Sequence, residues 1–146
     1  MDLSSPVYSE MTIADYDEVW ALWQATENMG LTDADSRSGV EAYLKHNSGL
    51  SVVVRQNGRL IGAVLCGHDG RRAYLHHAAV AREFRNRGIG RALVEDCLSR
   101  AAAQGIEKCH AWVYRENAAG LEFWRQIGWT ARTELQIVSR KIAADR

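Results

Sequence analysis

A chain of 146 residues has room for one domain and not for a second sizeable core. Apolar residues at 47% and charged residues at 25% fit a soluble globular chain, and no apolar stretch approaches the ~18 residues of a membrane span. Eighteen basic side chains against eighteen acidic ones give zero formal net charge, which argues against a nucleic-acid or membrane-surface binder. Cys66, Cys97 and Cys109 are odd in number and show no Cys-x-x-Cys spacing, so they read as reduced, packed thiols. Residues 1–5 carry an acid and no apolar run. Together these features predict a cytoplasmic protein without a secretory signal.

In chain order, residues 7–13 predict an edge strand. Thr12 or Asp15 caps the next helix, with Asp15, Asp17 and Glu18 favouring its dipole. Val19, Leu22 and Trp23 have helical spacing and form its buried stripe, although Trp20 and Trp23 could instead line a pocket. Residues 26–38 are polar and rich in turn formers. Ser36 then caps a short helix carrying Val40, Tyr43 and Leu44, closed by Asn47-Ser48-Gly49. Residues 50–54 and 60–66 are strands joined through Asn57-Gly58, a strong two-residue hairpin signal. Asp69-Gly70 turns the chain into a third strand over residues 73–80.

That strand runs into Arg85-Asn86-Arg87-Gly88-Ile89-Gly90-Arg91-Ala92-Leu93. Glycines at 88 and 90 let the backbone bend and turn its N–H groups outward at the start of a helix. Arg82, Arg85, Arg87 and Arg91 oppose only Glu83 within residues 82–91, a local excess of three positive charges. Such a corner suits a phosphate or pyrophosphate, or it is a strand-to-helix turn with solvated arginines. No Gly-Lys-Ser/Thr follows, so it is not a P-loop, and Gly-x-Gly-x-x-Gly fails at Leu93. Leu93, Val94, Cys97, Leu98 and Ala101 form the apolar stripe of the helix, which ends near Gln104-Gly105. Residues 109–114 return as a parallel strand, because the helix is a crossover. Asn117 caps a helix that stops at Gly128, and residues 129–141 make a last strand. Three antiparallel strands followed by helix, strand, helix and strand describe an α+β sheet layered with helices.

Two motifs carry a family resemblance: Arg85-x-x-Gly88-x-Gly90 after Ala78-Ala79-Val80, and Asn117-x-x-Gly120-x-x-Phe123-Trp124-x-x-x-Gly128-Trp129. In that order and context the chain resembles the GNAT superfamily of N-acetyltransferases. The resemblance implies a single GNAT domain over residues 1–146, with a mixed central sheet of about six to seven strands flanked by about four helices. It implies acetyl-CoA as co-substrate and no metal. It assigns Ala78, Ala79 and Val80 to the pantetheine arm through backbone groups, and Arg85, Asn86, Arg87, Gly88, Ile89, Gly90 and Arg91 to the phosphates. Asn117 also touches the arm, and Trp124 lies near the thioester. Residues 26–38 would shape the acceptor pocket, where Glu27, Asp33 and Asp35 suit a cationic acceptor; a solvated surface loop is the other reading. Many relatives are dimers, and a homodimer here is an expectation by analogy alone.

The chemistry implied is attack of a primary amine on the acetyl carbonyl within a ternary complex. A backbone N–H near Ala79 or Val80 would stabilise the oxyanion. A lysine-like amine must first lose its proton, which costs about 4–5 kcal/mol at pH 7. Tyr74 and His76 share one face of their strand by alternation, with His77 on the other. His76 is the preferred relay and Tyr74 its companion, set against the commoner case of histidines that merely pack. Tyr114 is a further proton donor. His76 and His77 diverge and so cannot share a metal, and no other His or Cys spacing suggests one. Many family members carry a tyrosine where this chain has Trp124, and an indole is not a practical acid. The proton for the leaving thiolate then comes from water, from another side chain or from solvent. The acceptor is a small-molecule or peptide amine. The same departure leaves open a second reading, a non-catalytic acetyl-CoA-binding regulatory module.

Overall fold

The computed structural model describes residues 5–143. The chain forms two compact units, one up to Trp112 and one from Val113 onward. The first holds β1 (Val7–Glu10), α1 (Tyr16–Gln24), α2 (Arg37–His46), β2 (Val52–Gln56), β3 (Arg59–His68), β4 (Ala73–Val80), α3 (Ile89–Ala103) and β5 (Cys109–Ala111). The strands lie in the order β1-β2-β3-β4-β5. The first four are antiparallel to their neighbours, and β5 runs parallel to β4 across the α3 crossover. The second unit contains α4 (Ala118–Gln126). No helix among the described residues is long and apolar enough to cross a membrane.

Alternation along the strands divides the core. Val53, Ala63, Leu65 and Ala79 face α1 and α2, packing on Val19, Leu22, Trp23 and Val40. The intervening residues face α3, whose Leu93, Val94, Cys97 and Ala101 are buried. Gly62 is what lets α3 close on the sheet. A Cβ there would stand 2.8 Å from Val54 Cγ1 and 2.9 Å from Leu93 Cδ1. On the other face, Arg55 of β2 grips Asp15 at 2.9 Å and Glu18 at 2.8 Å, tying the start of α1 to the sheet. Ser36 caps α2 as expected, its Oγ accepting from Gly39 N at 3.1 Å. Asn57 and Gly58 both take positive φ, 54° and 79°, the geometry of a tight hairpin turn.

The sheet departs from expectation in four respects. It has five strands among the described residues, not six to seven. Residues 129–141, read as a last strand, form no ladder. The segment curls instead, with Leu135 N–H on the Arg132 carbonyl at 3.2 Å and Arg132 Nε on Glu134 at 2.6 Å. Local bonds of this kind compete with strand pairing, and Val138 is left 91% exposed. The parallel strand is also short, because β5 pairs only with Ala73, Tyr74 and Leu75 of β4. Finally, the β3–β4 register slips: Ala63 pairs with Ala79 but Leu65 with His76, so β4 carries one extra residue. His77 sits in this bulge with φ 54°.

Candidate active site

The corner after β4 is built from backbone. Asn86 and Gly88 both adopt left-handed conformations, at φ 63° and 80°. Gly88 is the N-cap of α3. The first hydrogen bond of that helix runs from Ala92 N–H to the Gly88 carbonyl at 3.0 Å. The N–H groups of Gly88, Ile89, Gly90 and Arg91 therefore have no intrahelical acceptor and gather at one helix start. Gly90 lies within the first turn of α3, so the left-handed bend belongs to Asn86 and Gly88.

The arginines divide into two pairs. Arg85 donates from Nε to the Val80 carbonyl at 2.9 Å and from NH1 to Glu27 at 2.6 Å, and Arg82 reaches the other Glu27 oxygen at 3.2 Å. Bonding to Arg85 holds the Glu27 carboxyl below its usual range. Glu83, meanwhile, pairs with Arg59 at 2.8 Å. The arginine excess read from residues 82–91 is thus partly cancelled by a carboxylate distant in sequence. Arg87 and Arg91 form no ion pair among the described residues, and Arg87 lies over the Phe84 ring at 5.4 Å. They supply the uncompensated positive charge of the corner.

The end of β4 next to this corner has an open edge. Because β5 stops pairing at Leu75, His76 to Val80 have no strand beside them on that side among the described residues. Ala81 N–H bonds to the Ile61 carbonyl at 2.8 Å, so Val80 opposite Gly62 occupies a non-hydrogen-bonded position. Its N–H and carbonyl point away from β3. Arg85 takes the carbonyl, and the N–H remains available. Ala79, by contrast, turns its backbone groups toward β3. Of the two residues considered for an oxyanion donor, only Val80 has the right orientation.

Tyr74 and His76 share one aromatic neighbour. Trp112 touches both rings, at 5.7 Å from Tyr74 and 5.0 Å from His76, and Tyr43 of α2 meets His76 edge-on at 6.3 Å. Tyr74 also donates to Asp69 at 3.4 Å. Burial, and then the neighbouring His77, lower the pKa of His76 below 6.5 and favour its neutral form.

His77 corrects the alternation argument. The extra residue in β4 brings it to the same side as His76, where its ring meets Trp23 of α1 at 5.0 Å and its Nε2 lies 2.9 Å from Asp35 Oδ1. The two histidines therefore do not diverge. Even so, no group of three metal-ligating side chains occurs among the described residues. Of the thiols, Cys66 and Cys97 are fully buried, and burial pushes Cys109 up to about 12. A bond from Cys97 draws the Cys66 thiol below its usual range, while Cys66 and burial push Cys97 up.

Residues 26–38, expected to shape the acceptor pocket, are less open than their sequence suggests. Glu27 is held by two arginines, and Asp35 is 6% exposed. Its Oδ2 accepts from Thr32 N–H at 3.0 Å, and its carbonyl accepts from the Tyr16 hydroxyl at 2.7 Å. Among the described residues, Asp33 forms no ion pair. Sequence reasoning missed Trp112 and Tyr43 as partners of His76; their aromatic character was visible, but not their approach.

In the second unit, Asn117 caps α4, its side chain accepting from Gly120 N–H at 2.9 Å. A Cβ at Gly120 would stand 2.8 Å from Asn117 Cγ, so a larger residue there would shift the capping side chain. Trp124 packs between Phe123 at 5.2 Å and Trp129 at 4.6 Å. Tyr114 is 55% exposed.

Comparison with known proteins bears on these features. The family model described as "Acetyltransferase (GNAT) family" matches residues 16–129. Acetyltransferase ECA0875 of Pectobacterium atrosepticum is 29% identical over 113 residues, which cover 77% of this chain and 79% of that protein. Among solved structures, the PaiA N-acetyltransferase of Thermoplasma acidophilum in complex with coenzyme A superposes with a TM-score of 0.75 at 17% identity, covering 88% of this chain and 91% of its own. The aminoglycoside N-acetyltransferase AAC(6')-Iy in complex with CoA does so with a TM-score of 0.77 at 18% identity, covering 96% and 97%. At these identities the two structures establish likeness of fold.

Proposed function

Because the chain belongs to the GNAT family of acetyltransferases, we propose that it moves the acetyl group of acetyl-CoA to a primary amine by direct attack in a ternary complex. The observation that carries this reading is the corner itself. Four helix-start N–H groups and two unpaired arginines stand beside the open edge of β4. This supports binding of a pyrophosphate at residues 85–91, with the pantetheine arm along residues 78–80. Neighbours of the same fold that hold CoA add to that support.

Val80 N–H then donates to the carbonyl oxygen as negative charge develops on it. His76, kept neutral by burial, takes a proton from the acceptor amine or relays it, and Tyr74 stands beside it within the same aromatic group. For Asn117, Trp124 and Tyr114 the proposal rests on the sequence motifs alone. The acceptor is a small-molecule or peptide amine. With Glu27 and Asp35 engaged elsewhere, Asp33 is the acid of residues 26–38 left to meet a cation.

Trp124 in the tyrosine position favours one rival, a module that binds acetyl-CoA without transferring from it. Free-thiol release from acetyl-CoA, measured across a panel of polyamines, aminoglycosides, amino acids and peptides, separates the two. Acceptor-dependent thiol release supports transfer. Tight acetyl-CoA binding with no release on any amine supports the rival.

A further inference from the structure

The acceptor loop and the bulge of β4 meet at one buried carboxylate. Asp35 offers one oxygen to His77 Nε2 at 2.9 Å and the other to Thr32 N–H at 3.0 Å. An ionised carboxylate only accepts, so Nε2 carries the proton and His77 is the donor. The main chain of His77 is held as well, since Trp23 Nε1 donates to its carbonyl at 3.1 Å. Asp35 is fixed from a third side by the Tyr16 hydroxyl on its carbonyl. His77 has φ 54°, a conformation that few non-glycine residues take without support. Its position is telling. The β4–β5 ladder ends at Leu75, and the open edge that ends in the free Val80 N–H contains the bulge. A contact at His77 therefore sets how the edge beyond it is aimed.

Resting on the acetyl-transfer reading, we infer that Asp35 and His77 are a positioning pair, which locks the acceptor loop to the bulge and so aligns the bound amine with the Val80 edge. Neither residue needs to touch the reacting atoms. The pair transmits the position of residues 32–36 to residues 76–80. A loop displaced by the wrong acceptor would move Asp35, release His77 and let the bulge relax. The hydrogen bond then contributes to specificity as well as to rate.

Three variants separate this from simple stability. His77→Gly takes φ 54° without a side chain, so it removes the tie while relieving the conformation. Asp35→Ala removes the tie from the other end. Asp35→Asn keeps an oxygen that can accept from Nε2 but turns an NH2 group toward Thr32 N–H, so it preserves the tie to His77 and gives up the bond within the loop. The inference expects kcat for acetyl transfer to fall about tenfold or more in His77→Gly and Asp35→Ala, with KM for acetyl-CoA within about twofold. Asp35→Asn should recover part of the kcat loss, because it restores the bond to His77 without the one from Thr32. Amide hydrogen exchange in the ligand-free proteins should rise at residues 32–36 and 76–80 together in both tie-breaking variants. That readout needs no turnover, so it decides the coupling even if the wild-type protein transfers to no amine, the outcome that would defeat the acetyl-transfer reading. Wild-type kcat in His77→Gly, a matched loss in KM, or exchange that rises in only one of the two segments would overturn the pair's role.

Discussion

Arg85 holds the backbone carbonyl of Val80 through its Nε at 2.9 Å, while its NH1 lies 2.6 Å from Glu27. One side chain thus joins the open strand edge, the corner before α3 and the loop after α1. If that corner takes a pyrophosphate, Glu27 competes with it for the same guanidinium. Glu27→Gln should then tighten acetyl-CoA binding several-fold, and Arg85→Gln should weaken it by about tenfold, roughly 1.4 kcal/mol. Titration calorimetry at two salt concentrations checks both signs. The gain from Glu27→Gln should shrink as salt rises, because it is electrostatic.

Gly88 has φ 80° and nothing within 4 Å of where a Cβ would stand. The cost of a side chain there is therefore conformational, about 1–2 kcal/mol. Gly88→Ala should lower stability by that amount and weaken acetyl-CoA binding further, since the bend aims the N–H groups. Gly88→Asn, whose side chain tolerates the left-handed region, should be milder on both counts. Chemical denaturation with and without acetyl-CoA measures the two effects separately.

At Gly62 the opposite situation holds, because Val54 and Leu93 fill the space. Gly62→Ala forces α3 and the sheet apart and should cost about 1–3 kcal/mol. Thermal unfolding should register this as a lower Tm, and the acetyl-CoA affinity of the remaining folded protein should fall as well, because α3 carries the corner.

His76 ties stability and activity to pH. Its pKa in the unfolded chain is near 6.5 and is lowered in the fold, first by burial and then by His77, against a smaller opposing pull from Asp35. Between the folded and unfolded values the unfolded chain binds more protons, so stability falls as pH drops below about 6.5 and is regained above it. His76→Gln should flatten that part of the stability profile. If His76 relays the proton, the same substitution also removes the acid limb of the kcat profile. Urea unfolding and initial rates from pH 5 to 8 test both.

Much of this arrangement was readable from residue patterns. The caps at Ser36 and Asn117, the Asn57-Gly58 hairpin and the limits of β4 each follow from local rules, and local rules survive folding. The failures share a cause. The bulge at His77 inserts a residue without any glycine to mark it, so alternation put this side chain on the wrong face. The pairing of Arg82 and Arg85 with Glu27 joins positions more than fifty residues apart in the chain. The burial of Asp35 likewise depends on Tyr16 and His77, neither near it in sequence. Residues 129–141 have the composition of a strand, but a strand also needs an edge to pair with, and that is a property of the fold.

The central claim is that backbone N–H groups at the start of α3 and at Val80 hold the acetyl donor. The most direct measurement is an amide chemical-shift titration of the isotopically labelled protein with acetyl-CoA. The account predicts saturable shifts concentrated at residues 85–91 and at Val80. Saturable binding that leaves those amides unmoved, or no binding at millimolar acetyl-CoA, would contradict it.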